Sequence, residues 1–111
     1  MLSRLDREMT LEAQVATPDG AGGRTLAWTP VGRIWVGLRS ARGREAAGQV
    51  GALSEARWTA TLRGAAPGDP ARPMPGQRLR EGLRTFRILS VAERDGRGRW
   101  MVCELIEEAA T

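Results

Sequence analysis

Apolar residues recur at every second position in short runs, and each run is cut off by glycine or proline. The clearest is Arg57–Arg63, where Trp58, Ala60 and Leu62 alternate with Thr59 and Thr61 between two arginines and Gly64 closes the run. A period of two is the signature of a strand with one buried face. Met9, Leu11, Ala13 and Val15 alternate in the same way with Thr10, Glu12 and Gln14, as far as the turn Pro18-Asp19-Gly20-Ala21-Gly22-Gly23. The chain re-extends through Trp28 into Val31–Arg39, with Ile34, Val36 and Leu38 on one face and Arg33, Trp35 and Arg39 on the other. Pro30 and Gly32 suit a bulge early in that strand. Pro67, Pro70, Pro73 and Pro75 bar residues 65–76 from helix and from interior strand, leaving a Pro-rich loop. A short strand through Gln77 to Arg80 should follow. Arg84–Arg94 and Arg99–Glu107 then flank Asp95-Gly96-Arg97-Gly98, a hairpin signal. The expected fold is all-β: a small antiparallel β-barrel of five to six strands, a sandwich being the other arrangement, with one long projecting loop.

That loop is the stretch Ser40–Leu53, which has no clean period; residues 40–55 are assigned to it. Gly43, Gly48 and Gly51 weaken any helix there. Loops beyond about 12 residues are uncommon in compact domains and are usually functional or disordered. At 111 residues the chain is expected to be a single domain, residues 1–111, with residues 1–7 a flexible arm or an interface strand.

Composition removes chemistry. There is no His, so neither Ser–His–Asp nor Cys–His catalysis nor an imidazole metal ligand is available. The single cysteine, Cys103, reads as a small buried hydrophobe. No carboxylates are spaced as a cation loop, and the Gly-rich turn at Gly20–Gly23 opens no helix. The chain is therefore read as non-enzymatic, with no cofactor and no metal. No apolar run is long enough for a membrane span, and the charged first ten residues do not resemble a signal peptide. With one cysteine, this points to the cytoplasm.

Two sets of residues stand out. Trp35 shares a strand face with Arg33 and Arg39, and Arg57 and Arg63 point outward from the next strand. Trp and Arg are favoured at interface hot spots, so Arg33, Trp35, Arg57 and Arg63 are candidates for a subunit or partner interface. The alternative is a solvated face with cation–π packing. The last hairpin is apolar on both faces, which requires either a bulge that shifts register or a second buried surface. Net charge is +4, all 17 basic residues being arginine. One copy would bind DNA weakly, whereas six copies would bring +24 to one axis. A free-standing small-barrel nucleic-acid-binding module is the alternative function. It would need aromatics on an exposed sheet face, and Tyr is absent.

The order of these features resembles the phage head–tail joining, or head-closure (stopper), proteins. The resemblance runs from about Leu5 to Glu108. It rests on Gly22-Gly23 before Trp28, the strand Val31-Gly32-Arg33-Ile34-Trp35-Val36, Gly43-Arg44-Glu45 opening a long loop with Gln49, the strand ending in Arg63, and Arg84-Thr85-Phe86-Arg87-Ile88-Leu89-Ser90-Val91 before a charged hairpin. The Arg- and Ala-rich composition is similar to that of members in alphaproteobacterial prophages and gene transfer agents. The resemblance implies a structural subunit that forms a ring with itself, a hexamer favoured over a dodecamer. That ring would lie between an adaptor and portal ring above and a tail terminator below. A loop would gate the double-stranded DNA in the channel, without sequence preference. Carried over, the channel residues are Arg39, Arg42, Arg44, Glu45 and Gln49. The implied final location is the head–tail joint of a particle.

Overall fold

The computed structural model describes residues 4–41 and 56–108. It contains six strands: β1 (Arg7–Pro18), β2 (Arg24–Ser40), β3 (Ala56–Arg63), β4 (Arg78–Glu81), β5 (Arg84–Glu93) and β6 (Trp100–Glu108). They form a closed antiparallel barrel in the order β1-β2-β3-β6-β5-β4, with β4 returning to β1. Closure removes most of the sheet edges that an all-β chain of this size must otherwise protect.

The alternating residues face inward as their period requires. Met9, Leu11, Val36, Ala60, Leu62, Leu79, Phe86, Ile88, Met101, Cys103 and Leu105 are buried and form one core. Two bulges adjust the registers. One lies in the β1–β2 pair, where Leu11 faces Gly32 but Glu12 faces Pro30, so Val31 is skipped beside the Pro30 and Gly32 that suggested it. The other skips Leu89 between Ile88 and Ser90 on β5. It returns Val91 to the core side, against Cys103, and so explains why the run Phe86–Val91 is apolar in both phases.

The strands close tightly at Gly64. A Cβ there would overlap the carbonyl of Gly98, so only glycine admits the close approach that lets Gly64 N–H donate to the Arg99 carbonyl at 2.8 Å. Gly37 plays the same part for the N-terminal segment, whose Arg4 carbonyl lies where a Cβ would stand.

β1 and β2 run past the barrel. β4 pairs with β1 only from Thr10 to Glu12, and β3 pairs with β2 only from Val36 to Ser40. Among the described residues, 13–18 and 24–29 therefore pair with each other alone, as a two-stranded ribbon. At about 3.3 Å per residue it projects by about 20 Å. The molecule is accordingly elongated, 52 × 39 × 24 Å. Its tip is the turn expected at Asp19–Gly23, where the Asp19 carboxylate accepts from the amides of Ala21 (2.8 Å) and Gly23 (3.0 Å).

Candidate functional site

Three places on the barrel concentrate charge and aromatic rings. The first is a mouth. Here β1, β4 and β5 meet the C-terminal end of β6 and the start of β3. Arg84 donates to Glu107 twice, from Nε at 2.8 Å and from a terminal nitrogen at 3.0 Å, and Trp58 Nε1 donates to the same carboxylate at 3.1 Å. Arg7 donates to Glu81. The Trp58 ring stands edge-on to Phe86, with centroids 6.2 Å apart. Two arginines and two glutamates cap the end of the core as matched pairs, so this mouth is a structural closure.

The second place is the outer base of the ribbon. Glu12 is buried opposite the β2 bulge and accepts from Arg78 Nε at 2.6 Å and Arg80 Nε at 2.8 Å. Arg78 and Arg87 both stack on Trp28, at 4.3 and 5.4 Å from its centroid. The arginines thus cover Trp28 and tie the ribbon to β4 and β5.

The third place is a cleft of about 480 Å³ where β2 diverges from β3. It is lined by Leu5, Arg33, Ile34, Trp35, Leu62, Arg63 and Trp100. Pairing between the two strands ends at Val36–Leu62, so apolar side chains floor the gap while Trp35 stands 52% exposed at its rim. Arg63 lies over Trp100 at 5.2 Å. Among the described residues, two arginines and no carboxylate line the cleft, which suits a partner that brings acidic and apolar groups together.

The expected interface residues divide accordingly. Arg33, Trp35 and Arg63 come together in the cleft. Arg57 does not: it lies toward the other end of β3, where its carbonyl accepts from Ala41 N–H at 2.9 Å, close in sequence to the segment 42–55. Arg39, expected among the loop residues, belongs to β2 and pairs with Thr59. Arg39 and Arg57 are both exposed at the root of that segment. Arg42, Arg44, Glu45 and Gln49 lie outside the described residues. Trp100 and the Glu12 and Glu107 clusters were not anticipated. Trp100 joins the cleft because the β3–β6 register sets it against Arg63, a pairing of strands far apart in sequence that local spacing does not reveal.

The glutamates of these clusters and the Cys103 thiol are shifted away from neutral pH. Burial pushes the Glu12 carboxyl up, but the hydrogen bonds and charges of Arg80 and Arg78 together outweigh it and leave the group below its ordinary value. The Arg7 hydrogen bond lowers Glu81, and the Arg84 hydrogen bond lowers Glu107. Burial pushes the Cys103 thiol up to about 12. None of these groups is poised to exchange a proton near pH 7. Among the described residues, no group of three or more His, Cys, Asp and Glu is placed to hold a metal ion.

Three carboxylates with lowered folded values give a signed expectation. Each contributes stability that is present above its unfolded value, about 4.3, and is lost as pH falls through the lower folded value. The urea midpoint should hold between about pH 5 and 8 and drop steadily below about pH 4. A midpoint unchanged down to about pH 3 would contradict the ion-pair assignment.

Comparison with known proteins bears on what such a barrel does. No curated protein matches the chain. Among solved structures, it is similar to a chain of the virion of a native gene transfer agent particle, with 42% identity and a TM-score of 0.80 over 99% of this chain and 100% of that one. A family model described as phage head completion protein matches residues 2–108. The family match spans the whole barrel, so the chain belongs to the phage head completion protein family.

Proposed function

We propose that this chain is a head-closure subunit that forms a ring, favoured as a hexamer, between the portal–adaptor assembly and the tail of a phage or phage-like particle. The observation that carries this reading is the full-length likeness to a chain of a gene transfer agent virion, joined to membership of the head completion family. The geometry supports it. The Glu12, Glu81 and Glu107 clusters hold the barrel's own strands together, while the cleft at Arg33, Trp35 and Arg63 offers a rim for a neighbouring protein. The segment carrying Arg42, Arg44, Glu45 and Gln49 lies in sequence between the exposed Arg39 and Arg57. In this reading it meets the DNA phosphates in the channel and gates their exit. The subunit is made in the bacterial cytoplasm, joins the adaptor on one side and the tail terminator on the other, and ends at the head–tail joint.

Replacing residues 42–53 with a short Gly-Ser link tests the gating part. The barrel should remain folded, while the particles should lose packaged DNA. Reversing charge with Arg42→Glu and Arg44→Glu should lower DNA transfer by about tenfold or more, because repulsion replaces phosphate contact. Sealed particles and an unchanged transfer titre would contradict a gating loop.

A further inference from the structure

The ribbon at residues 13–18 and 24–29 is an unusual thing to leave in water. A two-stranded hairpin alone is marginally stable at best, and exposed strand edges are normally blunted with charge. Here Arg24 is the single charged residue among the twelve. One face, carrying Ala13, Val15 and Thr17 opposite Thr29, Ala27 and Thr25, holds no charge at all. Val15 and Leu26 are 45% and 61% exposed.

The hydrogen-bonding phase of the edges can be read off. Asp19 N–H donates to the Gly23 carbonyl. Counting back by twos from that pair, residues 13, 15 and 17 bond across the ribbon, and residues 14, 16 and 18 turn their backbone groups outward. On β2 the outward positions are 24, 26, 28 and 30. Pro18 and Pro30 both fall on outward positions, where a missing N–H breaks no bond within the ribbon. The β1 edge therefore offers Gln14 and Ala16, and the β2 edge offers Arg24, Leu26 and Trp28.

We infer that the β1 edge of one copy adds, antiparallel, to the β2 edge of the next copy, so that successive ribbons form a continuous belt. The partner is a second copy of this chain because the ribbon carries two inequivalent free edges of similar length. Each edge presents both N–H and C=O groups, the outward prolines lie only at the ends of the ribbon, and Arg24 is the one charge near the contact. A contact between unlike surfaces leaves one edge of each kind free at the ends, so it propagates until it closes, as a ring requires. Pairing of like edges would stop at a dimer. This inference rests on the ring proposed above and adds how its copies are joined.

The test is hydrogen exchange on purified particles, with the soluble Ala16→Pro chain as the open-edge reference. Proline at position 16 removes an outward amide and leaves the ladder within the ribbon intact. The Ala16→Pro chain should fold and fail to enter particles, whereas Ala16→Val, which keeps the amide, should enter normally. In wild-type particles, peptides covering both 13–18 and 24–29 should exchange at least about tenfold more slowly than in the reference. Normal entry of Ala16→Pro, or a wild-type chain present in particles with either strand still exchanging freely, would overturn the belt while leaving the head-completion reading intact. Slowing confined to one strand would mean pairing of like edges, which also overturns it. Absence of the chain from particles would overturn both.

Discussion

Truncating Phe86 to alanine should remove about 3–5 kcal/mol of stability, the largest loss expected from a single side chain in this protein. Phe86 is fully buried, faces Leu79 across the β4–β5 pair and meets the edge of the Trp58 ring. Arg84 lies 5.0 Å from its centroid, so the ring also supports the ion pair that closes the mouth. Removing it takes away contact area, an edge-to-face pair and the platform beneath Arg84 at once. A domain of this size has roughly 5–15 kcal/mol in total, so the variant should unfold at a far lower urea concentration, with the slope of the transition little changed. A loss below about 1 kcal/mol would mean that the ring is not at the centre of the packed core.

Glu12→Ala should cost about 2–3 kcal/mol, because it strands Arg78 and Arg80 around a site built for a carboxylate. The residue is buried at the point where the ribbon leaves the barrel, and one of its two arginines, Arg78, also stacks on Trp28. The loss has a pH signature. The wild-type contribution of Glu12 is present above about pH 4.3 and fades as the carboxylate protonates below it, so the two urea midpoints should converge in acid. A constant difference from pH 7 down to about pH 3 would assign the loss to packing rather than to the ion pair.

Much of the barrel was legible because period two survives wherever one face is dry. The faces of Trp58, Ala60 and Leu62, the turn at Asp19–Gly23, the hairpin at Asp95–Gly98 and the bulge beside Pro30 all follow from local chemistry. The apolar run Phe86–Val91 could not be phased locally, because one skipped residue, Leu89, decides it. The ribbon was hidden for a different reason. Its residues alternate like the rest of β1 and β2, and only the strand registers show that no third strand among the described residues reaches them. The cleft follows the same rule: Arg33 and Trp35 could be singled out as outward residues, but Trp100 joins them through pairings distant in sequence. The resemblance to head-closure proteins supplied what periodicity could not, and the family match bears out the head-completion role.

Electron microscopy of particles from a strain lacking this gene tests the central claim most directly. Tailless or DNA-emptied heads beside separate, complete tails are the predicted result. Normal tailed, DNA-filled particles would contradict it.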